Sequence, residues 1–227
     1  AHALRKLGVQ KGDRVGIVLP NIPQCIIAFY GTLKAGAVVV LGSPLSTEEE
    51  IAYQLRDSGA KVLLTLTSYR DRVEQICANT DVKQVIYTDV REYLPLRQRA
   101  LLATLIDDLG SHNTHTNGTP SPVAPLALPT NTNTARKGRL IAPSADLSDS
   151  HYSFQQLLRS QPTLPLESST TANNLALLQY TSGTTDSPKG VMLTHRNLTV
   201  NVVQVRHWMP DAKPGREVIL CVLPLSH

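Results

Sequence analysis

Residues 181–190 read Thr-Ser-Gly-Thr-Thr-Asp-Ser-Pro-Lys-Gly and combine five aliphatic hydroxyls with two glycines and one lysine. Small side chains leave backbone N–H groups accessible to an anion, and the hydroxyls add further hydrogen-bond donors. The lysine adds a flexible positive charge. This combination predicts a loop that binds a polyphosphate, and a solvated Ser/Thr-rich hairpin without a ligand is the structural alternative.

The sequence on either side of this loop predicts two strands. Apolar residues occur at 175–178 and again at 191–193, which is typical of short buried strands. The Walker A motif differs, because a helix follows its loop and a glycine precedes its lysine. Here Pro188 precedes Lys189. We therefore expect a phosphate loop to which no helix N-terminus contributes.

The loop belongs to a longer ordered pattern. Residues 180–190 read Tyr-Thr-Ser-Gly-Thr-Thr-x-x-Pro-Lys-Gly, and residues 191–197 continue with Val-Met-Leu-Thr-His-Arg-Asn. This pattern resembles the phosphate-loop signature of the adenylate-forming superfamily. That superfamily includes acyl-CoA synthetases, adenylation domains of peptide synthetases, and luciferases.

Segments near the N-terminus resemble one branch of the same superfamily. Residues 19–24, 30–37 and 53–61 are similar to the N-terminal part of long-chain fatty-acyl-CoA synthetases, as is Tyr-Leu-Pro at 93–95. The resemblance covers nearly all of two ranges, residues 1–106 and 173–227.

The resemblance implies an enzyme that activates a fatty acid in two steps. ATP and the carboxylate would give acyl-AMP and pyrophosphate, and the thiol of the co-substrate CoA would then displace AMP. Lys189 is expected to be catalytic, and His227, which ends a Leu-Pro-Leu-x-His motif, is expected to line the boundary between the ATP and acyl sites. The nucleotide implies Mg²⁺, whose protein ligands the sequence does not indicate. The residues expected to bind the ATP phosphates are Thr181, Ser182, Gly183, Thr184, Thr185, Lys189 and Gly190.

Two alternatives stay open at this point. An acyl-AMP ligase or adenylation domain of the same superfamily would pass its acyl group to a carrier protein. A non-catalytic nucleotide-binding or interaction module is favoured by Asp186, which stands where the family usually has glycine. A carboxylate close to bound phosphates is repulsive, and aspartate adopts positive φ less readily than glycine.

Composition excludes several other functions. The formal charge of +4 is scattered and aromatic residues make up only 4% of the chain, so we expect no nucleic-acid partner. The longest apolar region, residues 25–41, is interrupted by Lys34 and two glycines, so we expect no transmembrane segment. Cys25, Cys77 and Cys221 lie among apolar neighbours and are expected to be reduced core thiols. We expect a cytoplasmic enzyme with small-molecule substrates, and peripheral contact at the inner membrane face is left open.

Alternating strand and helix patterns between residues 13 and 88 predict an α/β fold with a mainly parallel sheet flanked by helices. By resemblance, this is an incomplete part of the large N-terminal domain of adenylate-forming enzymes, and we expect the chain to be an N-terminal fragment. An N-terminal α/β lobe is expected at 1–106, and the start of a second lobe of the same domain at 173–227. Residues 107–172 are expected to form a low-complexity, flexible insertion. Residues 107–150 are rich in Thr, Pro, Asn and Ser, and we expect them to bury too little apolar surface to offset the entropy lost on ordering.

Local patterns predict the individual elements. Ser46 and Glu49 fit a capping box, and Gly59 fits the stop of the helix that follows. Asp57 is expected to be a solvated helix charge, and His195 is expected to have a structural or capping role and not to act as a base. Strands are predicted at 14–19, 38–41, 61–66, 85–87 and 218–223. Helices are predicted at 23–34, 47–58, 69–78, 152–158 and 194–209, the last with an apolar core-facing stripe of Leu198, Val202, Val205 and Met209.

Overall fold

A computed structural model describes residues 1–99, 150–167, 169–181 and 188–226. Of the flexible insertion predicted at 107–172, residues 107–149 and 168 lie outside these ranges. Within them, strands and helices alternate along the chain. The strands are β1 (Arg14–Val18), β2 (Val38–Gly42), β3 (Ala60–Leu66), β4 (Gln84–Thr88), β5 (His151–Ser153), β6 (Leu175–Thr181) and β7 (Lys189–Thr194). The helices are α1 (His2–Lys6), α2 (Pro23–Lys34), α3 (Glu48–Ser58), α4 (Arg70–Cys77), α5 (Phe154–Arg159) and α6 (His195–Trp208). Short 3-10 helices span Thr67–Tyr69 and Val90–Tyr93, and residues 96–99 are also helical.

The described strands form one seven-stranded sheet in the order β5-β4-β3-β1-β2-β6-β7. Every neighbouring pair is parallel except β6 and β7, which form an antiparallel hairpin at one edge. At the centre, β2 is buried at every position and β1 at all but its first, as expected for parallel strands covered on both faces. The predicted α/β class with a mainly parallel sheet is confirmed.

Helices cover both faces of the sheet. The chain moves one way across the sheet from β1 to β2 and the other way from β2 to β3 and β4. With right-handed crossovers, α2 therefore lies on one face and α3 and α4 on the opposite face. Helix α6 shares the face of α2, because residues of both helices line a common cavity.

The region around β5 combines a strand with a helix where a helix alone was predicted. Residues 151–153 pair in parallel with β4, and α5 begins immediately afterwards at Phe154. Ser153 caps this helix by accepting a hydrogen bond from the backbone N–H of Gln156. The sequence does not show β5, because a strand of three residues is too short for period-two alternation to be recognised.

The strand predicted at residues 218–223 and the core-facing stripe of α6 are wrong. Residues 218–223 pair with none of the described strands, and Val218 is 97% exposed. On α6, Leu198 packs partly against the core, whereas Val202 is 66% exposed. An apolar pattern becomes a strand or a buried helix face only where a partner element supplies hydrogen bonds or a packing surface. Cys221, in the same segment, is exposed and is not the core thiol that was expected.

The other two cysteines agree better with the prediction. Cys25 is buried and Cys77 is half-buried, and both are free thiols. Burial raises the pKa of each thiol to about 11, so both remain protonated and unreactive near neutral pH.

The capping box of α3 lies one residue later than predicted. Thr47 Oγ1 accepts from the backbone N–H of Glu50, and the Glu50 carboxylate accepts from the backbone N–H of Thr47 at 2.8 Å. At the other end, Gly59 adopts the left-handed conformation with φ of 61°, as predicted for the residue that stops this helix.

This shift gives a test with a matched pair of variants. Thr47→Ala removes the capping oxygen and is expected to lower the free energy of unfolding by about 1 kcal/mol. Ser46→Ala, at the predicted position, is expected to stay within about 0.5 kcal/mol of the parent. Urea unfolding of both variants measures the difference, and the reverse order would show that Ser46 is the cap.

Candidate functional site

The two ends of the predicted phosphate loop lie at the carboxyl edge of the parallel strands. Thr181 is the last residue of β6 and Lys189 is the first residue of β7, and these two residues are paired in the hairpin register. Both side chains are exposed. Ligands of open α/β sheets bind outside the carboxyl ends of the strands, so Thr181 and Lys189 stand together where a ligand would be expected.

The structure describes only part of the predicted phosphate-binding set. Thr181, Lys189 and Gly190 come together at the base of the hairpin. Ser182, Gly183, Thr184 and Thr185 lie outside the described residues, as do Asp186 and His227. The roles given to these six residues stay predictions.

Gly190 has a packing role that needs no ligand. It pairs with Tyr180, and a Cβ at Gly190 would lie 3.1 Å from Cζ of the Tyr180 ring. That separation is tighter than an ordinary contact between such atoms. The missing side chain therefore lets the ring of Tyr180 lie across the partner strand.

The Tyr180 side chain connects the hairpin to α3. Its hydroxyl donates to Oδ2 of Asp57 at 2.6 Å. The ring of Tyr53, on the same helix, contacts the Tyr180 ring edge-on, with centroids 6.5 Å apart. The Tyr53 hydroxyl donates to the carbonyl oxygen of Pro188 at 3.1 Å. Tyr53, Asp57 and Tyr180, which we call the Tyr–Asp cluster, thus contact both arms of the hairpin.

The environment keeps the Tyr180 hydroxyl protonated. Burial raises its pKa, and the hydrogen bond to Asp57 and the charge of that carboxylate raise it further. The hydroxyl is therefore a permanent donor to Asp57. Asp57 is exposed, as predicted for a solvated helix charge, and its carboxylate also accepts this hydrogen bond.

The segment that leads to His227 is held at the same edge of the sheet. Nδ2 of Asn21 donates to the carbonyl oxygen of Leu223 at 2.7 Å, and Oδ1 of Asn21 accepts from the backbone N–H of Leu225 at 2.8 Å. Gln179, two residues before Thr181, donates to the carbonyl oxygen of the buried Ser226 at 2.7 Å. A cavity of about 240 Å³ lies here between the ends of β1 and β2 and this segment.

Sequence reasoning missed Asn21, Gln179 and the two tyrosines. Two of them carried a usable signal. Gln179 is a polar residue within an apolar strand that leads into the loop, and Asn21 lies three residues after the end of β1, within a Pro-Asn-Ile-Pro segment. A polar side chain at the carboxyl end of a buried parallel strand is a candidate for ligand or loop contacts.

A cavity of about 650 Å³ lies elsewhere, between α2 and α6. His195, on its wall, follows the end of β7, where Thr194 pairs with Leu175 at the start of β6. The cavity therefore lies near the amino-terminal end of β6, whereas Thr181 lies at the carboxyl end of that strand. His195 thus lies away from the phosphate loop. Burial lowers its pKa, so the imidazole is neutral at physiological pH.

Among the described residues, no three His, Cys, Asp or Glu side chains converge as metal ligands. This part of the chain therefore supplies no carboxylate cage for Mg²⁺. In the same residues, every helix is too short or too polar to cross a bilayer.

A family model described as AMP-binding enzyme matches residues 1–227. The chain belongs to the AMP-binding enzyme family. Within this family it is 33% identical over 222 residues to a long-chain-fatty-acid–CoA ligase of Bacillus subtilis. The matched region covers 97% of this chain and 34% of that ligase. It is 31% identical to the ligase of the same name from Salmonella typhimurium, over 100% of the chain and 36% of that protein.

Solved structures of AMP-binding enzymes share the fold. The apo crystal structure of MatB from Rhodopseudomonas palustris superposes with a TM-score of 0.67 at 19% identity, over 100% of this chain and 33% of that one. At this identity the likeness concerns the fold alone. The chain spans about one third of the length of the curated AMP-binding relatives that it matches.

Proposed function

We propose that the complete gene product activates a long-chain fatty acid with ATP, forming acyl-AMP and pyrophosphate, and then transfers the acyl group to CoA. The observation that carries the proposal is the pairing of exposed Thr181 with exposed Lys189 at the carboxyl edge of the sheet. The names of the two bacterial relatives support the choice of a long-chain fatty acid.

Charge repulsion explains why such a loop is needed. The carboxylate of the fatty acid must approach the α-phosphate of ATP, which also carries negative charge. The Lys189 ammonium would offset the charge that grows on the departing pyrophosphate, and Thr181 would donate from its hydroxyl. Ser182, Gly183, Thr184 and Thr185 are proposed to add backbone and hydroxyl donors, and Gly190 to shape the turn into β7.

Magnesium bound with ATP would neutralise further phosphate charge. The ion would enter with the nucleotide, and the described residues bring together no three His, Cys, Asp or Glu side chains that could hold it. His227 is proposed to line the boundary between the ATP and acyl sites. The contacts of Asn21 and Gln179 support this role, since they bring the backbone of Leu225 and Ser226 to the carboxyl edge.

A substrate panel tests the proposal. The complete gene product is incubated with ATP, Mg²⁺ and CoA, together with long-chain, short-chain and aromatic carboxylic acids in separate reactions, and acyl-CoA is quantified by mass spectrometry. We expect the largest kcat/KM with long-chain fatty acids. Preference for another acid would overturn the substrate assignment, and acyl-AMP that reacts only with a carrier-protein thiol would favour the alternative acceptor.

A non-catalytic nucleotide-binding or interaction module is the second candidate, favoured by Asp186 in place of the usual glycine. Calorimetric titration of ATP into the parent and the Asp186→Gly variant, together with an assay of fatty-acid-dependent turnover, separates the two candidates. An enzyme binds ATP in the parent form and turns it over with a fatty acid. A non-catalytic module shows no fatty-acid-dependent turnover, and Asp186→Gly would then be expected to strengthen ATP binding.

Several further expectations stay predictions. These are the division into lobes at 1–106 and 173–227 with an insertion at 107–172, a cytoplasmic location, and peripheral contact at the inner membrane face. Within the predicted insertion, β5 pairs with β4 of the main sheet, and Phe154 of α5 is buried in the core.

A further inference from the structure

The Tyr–Asp cluster contacts the two arms of the loop hairpin from a single helix. Asp57 accepts from Tyr180, the residue before Thr181, and Tyr53 donates to Pro188, the residue before Lys189. Tyr53 and Asp57 are four residues apart on α3, so both project from one side of that helix. One face of α3 thus holds the chain immediately before each of the two exposed residues that are proposed to contact phosphate.

The strand register separates the cluster from the ligand side. Tyr180 pairs with Gly190, and Thr181 pairs with Lys189. Successive side chains of a strand point to opposite faces of the sheet. Tyr180 points towards α3, so Thr181 and Lys189 project from the other face. The cluster therefore reaches these two residues only through the backbone.

The position of β7 explains why such a connection is needed. In the described part of the sheet, β7 is an edge strand that pairs only with β6. Its Met192 is 69% exposed, so little apolar packing holds it from the outside. An edge strand with few buried contacts opens locally at low free energy. Hydrogen bonds from α3 oppose that opening at the end of the hairpin that carries the loop.

We propose that Tyr180, Asp57 and Tyr53 are positioning residues, which hold the base of the hairpin on α3 and so fix the placement of Thr181 and Lys189 towards the bound nucleotide. This inference rests on the proposed function. A hydrogen bond to a carboxylate is stronger than a neutral one, which suits a contact near the surface. Small displacements of groups that align a substrate are costly, about a hundredfold in rate for 1 Å.

Hydrogen–deuterium exchange tests the structural half of the proposal without an activity assay. Tyr180→Phe and Asp57→Ala each remove the hydrogen bond, while Tyr180→Phe keeps the ring over Gly190. Each is expected to speed exchange about tenfold in peptides that cover 178–181 and 188–192. The double variant is expected to exchange no faster than either single one. Asp57→Asn, which keeps an acceptor oxygen but loses the charge, should exchange at a rate between those of the parent and Asp57→Ala.

Two controls separate this effect from a general loss of stability. Peptides from β1 and β3 in the same samples should exchange at the parent rate. Tyr87→Phe removes the hydroxyl of a buried tyrosine that has no hydrogen-bond partner among the described residues, and it should leave the hairpin peptides unchanged. Equal acceleration in all peptides, no acceleration in the hairpin, or additive effects in the double variant would overturn the proposal.

Kinetics of the complete gene product test the functional half. Tyr180→Phe and Asp57→Ala are expected to raise the KM for ATP or lower the rate of acyl-AMP formation about tenfold, with the KM for the fatty acid unchanged. A fatty-acid KM that shifts by the same factor would contradict a role confined to the loop. If the parent protein forms no acyl-AMP, the proposed function fails, and the exchange data still decide whether the cluster positions the hairpin.

Discussion

Replacing Lys189 by alanine is expected to slow acyl-AMP formation by the complete gene product about a hundredfold, the effect of losing one preorganised charge contact. The side chain is exposed at the start of β7, so its truncation should leave the free energy of unfolding within about 0.5 kcal/mol of the parent. Single-turnover measurement of fatty-acid-dependent pyrophosphate release gives the rate.

Two variants control this experiment. Lys189→Arg keeps the positive charge and should retain a larger share of the rate than alanine does. Lys83→Ala removes an exposed lysine just before β4. This residue lies at the amino-terminal end of its strand, away from the phosphate loop, and its removal should leave the rate of acyl-AMP formation unchanged. A rate that is unchanged in Lys189→Ala would remove this residue from the mechanism.

Residues 1–227 expressed alone are expected to give no acyl-CoA and to self-associate. The two bacterial relatives are about three times as long as this chain. Catalysis of this kind needs several groups held together around the substrates. The described surface is also apolar on α6, β7 and the segment after α6. Met192, Val202, Trp208, Val218 and Leu220 are between 66% and 97% exposed. Apolar surface of this extent favours association.

Light scattering after size exclusion measures the association, and mass spectrometry detects acyl-AMP and acyl-CoA. The complete gene product, assayed in parallel with ATP, Mg²⁺, a long-chain fatty acid and CoA, is the positive control. Thioester formation by a monomeric chain of residues 1–227 would show that these residues are sufficient for both steps.

The centre of the fold could be predicted from the sequence because its signals are local. Helix α2 has the predicted bounds, with Pro23 at its first turn and a left-handed Gly36 just beyond its end. The apolar runs of β1 and β2 are buried as expected for central parallel strands. The hairpin after residue 175 also follows from two apolar runs around a loop of small residues, but β7 is largely exposed and not the buried strand that was expected.

The surroundings of the loop could not be predicted, because they depend on contacts between distant parts of the chain. Asp57 and Tyr180 are 123 positions apart, and Asn21 and Leu223 are 202 positions apart. A helix residue such as Asp57 carries no local sign that a strand tyrosine will approach it. The error at residues 218–223 has the same origin, because an apolar run does not reveal whether another strand will pair with it.

Exchange of labelled pyrophosphate into ATP, measured with the complete gene product in the absence of CoA, tests the central claim most directly. This reaction reports reversible acyl-AMP formation and does not depend on the acceptor of the acyl group. We predict exchange that requires a long-chain fatty acid and Mg²⁺ and that falls about a hundredfold in Lys189→Ala. ATP binding without any fatty-acid-dependent exchange would contradict the account and leave a nucleotide-binding protein that does not activate carboxylates.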